Sequence, residues 1–192
     1  MIFIGSSSID TTTLISGFQI INGYALGGFP YFRGGGIQCK DGSSPTLRNL
    51  AITGNIAAVT GGGIYFGQNS SVVISNVTIG GNSAGEGGGI YCENSTPTIS
   101  NLLMFNNSAS RGGAIFFSST SIPILKNLTI SGNSANDGGI YCSPNSDLTL
   151  VNSILWGNSP VEIYLDEEYG VSGSATSTYS IIQGGWDGAG NI

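Results

Sequence analysis

The sequence predicts an all-β fold, a right-handed parallel β-helix of three short strands per coil and about 25 residues per coil, on three observations. A segment Gly-Gly-Gly/Ala-Ile-aromatic recurs at 34–38, 61–65, 87–91, 112–116 and 137–141, with Gln38 replacing the aromatic in the first copy and Asp137 the first glycine in the last. Its isoleucines, Ile37, Ile64, Ile90, Ile115 and Ile140, are 27, 26, 25 and 25 residues apart, and a fixed period of this length marks a solenoid. Paired asparagines six positions apart keep the same beat at Asn49/Asn55, Asn76/Asn82, Asn101/Asn107, Asn127/Asn133 and Asn152/Asn158. Between glycine clusters lie short apolar runs of period two, bounded by Gly, Asn, Ser or Pro, which is the signature of strands. Glycines interrupt every helical candidate.

In the coil that begins at Gly87, strand one is 89–92, strand two 97–100 and strand three 102–105, with Asn101 at the left-handed bend between the last two. Stacked coils lie about 4.8 Å apart, and the handedness follows from the rule for parallel crossovers. Strand one points Ile37, Ile64, Ile90, Ile115, Ile140 and Ile163 inward, then Cys39, Phe66, Cys92, Phe117, Cys142 and Leu165, small alternating with large. Strand two supplies Leu47, Ile74, Ile99, Leu125 and Leu150, and strand three Ile52, Ile79, Met104, Ile130 and Leu155. Ser43, Ser70, Ser95, Ser121 and Ser146 form a hydroxyl column at a turn. Both asparagine columns are expected to be buried, stacked and bonded to turn backbone, which would make sequons such as Asn76-Val77-Thr78 and Asn127-Leu128-Thr129 poor glycan acceptors. The whole chain, 1–192, reads as one domain of six to seven coils belonging to a longer protein, with 163–192 an irregular last coil and 167–178 breaking the repeat. Ends without caps would expose strand edges and favour end-to-end self-association.

Composition narrows the function classes. With 32 glycines in 192 residues, 8% charged residues and a net charge of −6, the chain departs from ordinary globular usage, and repetition accounts for it. Its five basic residues, Arg33, Lys40, Arg48, Arg111 and Lys126, are scattered, so neither nucleic acid nor an anionic membrane is an expected partner. The apolar runs are too short for membrane insertion as helices, and 1–8 lacks the basic and apolar regions of a secretory signal. Three cysteines two rungs apart, roughly 9.6 Å by strand spacing, exceed the ~7 Å bridging limit and are expected to be buried thiols. Without histidine, neither a His-based triad nor a His-ligated metal is available. The expectation is no cofactor and no metal; the acidic run Asp166, Glu167 and Glu168 reads as a solvated loop, calcium being the sharper alternative.

The phrases SSPTLRNLAITGN, NSAGEGGGIYC, NSILWGNSP and TYSIIQGGWDGAGNI resemble the right-handed parallel β-helix repeat proteins of bacteria, with a pectin-lyase-like fold. The pairing of the glycine-isoleucine segment with hydrophobic-x-x-Asn is also similar to the repeats of chlamydial polymorphic outer-membrane proteins, which are adhesins. The resemblance covers about 9–192 and implies an extracellular or cell-surface setting, within a larger protein.

Outward on strand one, Gln38 is followed by Tyr65, Tyr91, Phe116, Tyr141 and Tyr164. An exposed column of this kind suits sugar rings or a host or cell-surface protein, although aromatic residues also favour strands and ladder stacking for their own sake. On the first view, replacing Tyr91, Phe116 and Tyr141 by serine removes ligand binding and spares the fold. An alternative is a polysaccharide lyase or glycoside hydrolase, because enzymes of the resembled fold place charged residues on this face. The turn before strand one carries Arg33, Thr60, Glu86, Arg111 and Asn136 in one column, with Asp137 alongside. Glu86 and Asp137 would be two rungs apart, near the separation of an inverting pair, but Arg111 between them reads more simply as a charge ladder. Outward threonines on strand three are too irregular for ice binding. The expected function is therefore a non-enzymatic scaffold or adhesin-like module with no catalytic residues.

Overall fold

The computed structural model describes residues 1–28, 32–118 and 120–192, and their regular structure is entirely strand. The first sheet stacks seven parallel strands, from Ile2–Gly5 through Ile37–Lys40, Ile64–Phe66, Ile90–Cys92, Ile115–Phe117 and Ile140–Cys142 to Ile163–Leu165. Register follows the sequence repeat, Ile37 beside Ile64, Ile64 beside Ile90, and on through Ile115 and Ile140 to Ile163.

The second and third expected strands are continuous in the middle coils, as Thr46–Thr53, Val73–Gly80, Thr98–Phe105 and Ile124–Ser131. Asn49, Asn76, Asn101 and Asn127 bend them without breaking them, at φ of 53°, 54°, 52° and 58°. A third wall, Tyr24–Ala25, Ile56–Ala57, Ser83–Glu86 and Ser108–Arg111, has no apolar alternation and was invisible to a periodicity argument.

Close approach of successive rungs explains the glycine triplet. Gly61, Gly87 and Gly112 have φ of 68°, 62° and 60°, a region costly for any residue with a Cβ. At the second position, a Cβ on Gly62 would lie 2.4 Å from the Gly88 carbonyl oxygen, and one on Gly88 2.5 Å from that of Gly113. Asp137 stands in for the first glycine of its rung by bonding: its Oδ1 accepts the N–H of Gly112 at 3.0 Å and that of Gly138 at 2.7 Å.

Inside, the columns meet as expected. Ile37, Ile64, Ile90, Ile115 and Ile140 are fully buried, as are Cys39, Phe66, Cys92, Phe117 and Cys142 beside them. The cysteines are free thiols, and burial pushes Cys39 and Cys142 up to about 12, so they are inert at neutral pH.

The two asparagine columns differ in kind, which corrects the expectation that both are buried. Asn55, Asn82, Asn107 and Asn133 are buried and chained in one direction: each backbone N–H and each Nδ2 donates to Oδ1 of the next rung at 2.9–3.0 Å through Asn107. Asn133 passes the chain to Asn158 at 2.9 and 2.8 Å, and Asn158 donates to the carboxylate of buried Glu162, which ends the ladder. Asn49, Asn76, Asn101, Asn127 and Asn152 are exposed and chained the opposite way, Nδ2 to the Oδ1 of the preceding rung. Asn76 and Asn127, the sequon asparagines of this column, therefore face solvent.

The last coil is more ordered than its sequence predicts. Glu167–Glu168 and Val171–Ser172 form an antiparallel hairpin, after which Ser174–Thr178 rejoins the long sheet beside Asp147–Val151. The chain then doubles back: Asn191 Oδ1 accepts the Ser180 N–H at 2.9 Å, Ile192 donates its N–H to the Ser180 carbonyl at 2.9 Å, and Trp186 packs against the core. The C-terminal rung is thus covered by its own chain, whereas the first rung leaves Phe3, Leu14, Phe18 and Ile21 exposed.

Candidate functional site

The outward column of the first sheet is a continuous ring stack. Tyr65 and Tyr91 lie 5.8 Å apart between centroids, Tyr91 and Phe116 5.0 Å, Phe116 and Tyr141 4.4 Å, and Tyr141 and Tyr164 5.4 Å. Interplanar angles run from 6° to 23°. Strand spacing imposes this arrangement, since identical outward positions recur every ~4.8 Å.

Stacking removes the open face that the sequence had led one to expect. Tyr65, Phe116 and Tyr141 are each 3% exposed, Tyr91 is half-buried, and only Tyr164 at the end of the stack, 39% exposed, shows much ring to solvent. Gln38, the non-aromatic member, is buried as well. A sugar ring needs a free aromatic face, and in this column most faces are occupied by the next ring.

Two arginines bracket the stack from outside. Arg111 lies over Phe116 and Tyr141, 5.2 and 5.4 Å from their centroids, and pairs with Glu86 on the neighbouring rung. Glu86 and Asp137 are both engaged within the ladder: one carboxylate holds Arg111 and the other accepts the N–H groups of Gly112 and Gly138. Burial first, and then Asp166, raises the Tyr141 phenol above its ordinary range.

Arg33 makes a tighter group at the other end of the stack. Its guanidinium sits 4.9 Å above the Tyr65 ring centroid, donates to the Tyr65 hydroxyl at 2.5 Å and contacts Glu93 at 3.2 Å. The Tyr65 hydroxyl in turn donates to the same Glu93 oxygen. Burial, reinforced by Glu93, pushes the Tyr65 phenol far up, so it stays protonated as a donor.

Beside this triad opens a cleft of about 490 Å³, walled by Lys40, Asp41, Gln68 and Asn69. Lys40 and Asp41 form their own ion pair at 3.1 Å, and Gln68 reaches the second Glu93 oxygen at 3.4 Å. Cations and carboxylates are therefore matched, and the free valences are amide, hydroxyl and partly paired charge. Of the residues predicted for this face, Gln38 and Tyr65 line the cleft, with Arg33 from the turn column; Tyr91, Phe116, Tyr141 and Tyr164 run away from it along the stack. Sequence reasoning missed Glu93, Gln68, Asn69 and Asp41. Their signal lay just after strand one, where each coil turns through a polar left-handed residue, Asp41, Asn69 or Asn94, at φ of 58°, 62° and 45°.

Fold and surface together define a parallel β-solenoid repeat protein. The chain belongs to the family described as the right handed beta helix region, whose family model matches residues 2–185. No curated protein and no solved structure matches it.

Proposed function

We propose that the chain is a non-enzymatic, extracellular or cell-surface β-helix scaffold, adhesin-like in use, which binds a polysaccharide through the Arg33–Tyr65–Glu93 cleft. The observation that carries this reading is the commitment of the acidic groups on the face. Glu93 is held by Arg33 and Tyr65, and Glu86 by Arg111, whereas general acid-base work needs a carboxylate whose proton affinity is tuned to the task. The cleft instead offers oriented amides and paired charges, groups that bind hydroxyls without a net field. The extracellular setting rests on the repeat resemblance.

The test is calorimetric titration with neutral and acidic oligosaccharides, comparing the natural chain with Arg33→Ala and Glu93→Gln. Binding is expected to weaken at least about tenfold in each, a factor worth ~1.4 kcal/mol. Binding unchanged by both substitutions removes the cleft from consideration. Incubation with pectins and alginates, with and without calcium, addresses catalysis: new reducing or unsaturated ends would make the protein an enzyme, and retention of a cell-surface protein in place of any saccharide would replace the ligand class.

A further inference from the structure

Five Asn-X-Ser/Thr triplets occur in the chain, at 69–71, 76–78, 94–96, 106–108 and 127–129. In each the asparagine is exposed and the middle residue buried, so exposure alone does not tell them apart. What differs is how far each triplet is committed to the stacked coils. Asn76 and Asn127 lie inside the eight-residue strands Val73–Gly80 and Ile124–Ser131. Their amides are used at both ends: Nδ2 donates to the preceding rung at 3.4 and 3.1 Å, and Oδ1 accepts from the following one at 3.2 and 2.8 Å. Asn106 leads into Asn107, whose backbone N–H and Nδ2 both donate to Asn133 Oδ1 in the buried chain. Displacing any of these three triplets breaks bonds that hold the fold.

Asn69-Ser70-Ser71 and Asn94-Ser95-Thr96 are placed differently. They lie outside the strands, in the turns that link Ile64–Phe66 to Val73–Gly80 and Ile90–Cys92 to Thr98–Phe105. Both asparagines hold left-handed backbone, at φ of 62° and 45°, which this residue type tolerates. Asn94 Oδ1 accepts the Thr120 hydroxyl at 3.2 Å, but neither Asn69 Nδ2 nor Asn94 Nδ2 has an acceptor among the described residues. The third-residue hydroxyls, Ser71 and Thr96, are exposed and 3.0 Å from each other across the rungs. Each turn therefore presents a free carboxamide nitrogen and, two residues on, an accessible hydroxyl, the two groups that define an acceptor triplet for N-linked sugar.

We infer that Asn69 and Asn94 are N-glycosylation sites of the folded chain, and that Asn76, Asn106 and Asn127 are not. The donor is a sugar esterified to a diphosphate, carried by a nucleoside or by a polyprenol. Asparagine Nδ2 attacks the anomeric carbon: the N–C bond forms as the C–O bond to the diphosphate breaks. The diphosphate leaves with its carrier, and one amide proton passes to a base of the transferring enzyme. Nothing is oxidised or reduced. That enzyme must draw the triplet away from the coil, which costs least where no strand or ladder bond has to open. Asn69 also walls the Arg33–Tyr65–Glu93 cleft, so a sugar on it competes with any ligand there, whereas Asn94 stands outside that lining.

Peptide mapping by mass spectrometry of the full chain, isolated from its source organism, tests this. Added sugar mass is expected on Asn69 and Asn94; a single hexose marks the nucleotide-linked donor and an oligosaccharide the polyprenol-linked one. Ser71→Ala and Thr96→Val remove the third-residue hydroxyl but keep both asparagines and their backbone, and each should abolish modification at its own triplet alone. A second measurement needs no variant. A soluble asparagine glucosyltransferase with UDP-glucose acts on the folded chain and on one whose three buried cysteines were carboxymethylated in urea, which prevents refolding. Folding should slow transfer at Asn76, Asn106 and Asn127 at least about tenfold more than at Asn69 and Asn94, because strand-bound triplets react only through local opening. If a variant melts early, this comparison decides. An unmodified protein from the source, sugar on any of the other three asparagines, modification that survives the substitutions, or equal slowing at all five triplets overturns the inference.

Discussion

Replacing Asn107 by alanine tests whether the buried amide chain holds successive coils together. Asn107 Oδ1 accepts the backbone N–H of Asn82 at 3.0 Å and its Nδ2 at 2.9 Å, while Asn107 Nδ2 donates to the Ile79 carbonyl at 3.0 Å and to Asn133 Oδ1 at 2.9 Å. Alanine strands the Asn82 N–H and deprives the Ile79 carbonyl of a donor, both away from water. Each orphaned buried group costs about 1–3 kcal/mol. Two of them, with the void left by the amide, give a loss of about 3–5 kcal/mol, a large share of the roughly 5–15 kcal/mol that a domain commands. The matched control is Asn101→Gly in the same coil. Asn101 is exposed, its ladder bonds are 3.2 and 3.1 Å, and glycine keeps its φ of 52°. Water replaces what is lost, so the cost should stay below about 1 kcal/mol. Equilibrium urea denaturation followed by tryptophan fluorescence measures both. Equal losses, or an Asn107→Ala midpoint within error of the natural chain, would refute the argument that burial and not residue type gives the inner ladder its strength.

Three further outcomes follow from the packing. Phe116→Ser should cost about 3–5 kcal/mol, as for other large-to-small changes of buried aromatic residues, and the combined serine variant of Tyr91, Phe116 and Tyr141 should not fold; a natural near-ultraviolet spectrum from that variant would show that the stack is dispensable. Gly88→Ala places a Cβ 2.5 Å from the carbonyl oxygens of Gly113 and Ser108, an overpacking worth about 1–3 kcal/mol or more, and an unshifted melting temperature would contradict it. Alkaline pH should destabilise the fold. Burial raises Cys39 and Cys142 from 9.0 to about 12, and burial with Glu86 raises Tyr91 from 10.0 to about 12. Groups with a raised folded value contribute fully below their unfolded value and lose that contribution as pH climbs to the folded one. The urea midpoint should therefore hold steady up to about pH 9 and fall between pH 9 and 12; a flat profile there would count against buried, protonated side chains.

The repeat in the sequence determined the coil period, the inward isoleucine and cysteine-phenylalanine columns, the bends at asparagine and the stacking of like residues. Those features depend on register alone, and register is written in which residue recurs at each interval. Exposure is a different quantity, set by neighbouring rungs and by the turns that fold over them. Only the tertiary structure decided that Tyr65, Phe116 and Tyr141 are covered while Tyr179 and Trp156 are open, and that Asn107 is buried while Asn101 is not. Nor does spacing connect Arg33 with Glu93, 60 residues apart, because long side chains reach across rungs where strand pairing does not. The closing segment around Trp186 and Asn191 breaks the period, so its docking onto the last rung came from core packing and hydrogen bonding that no repeat encodes.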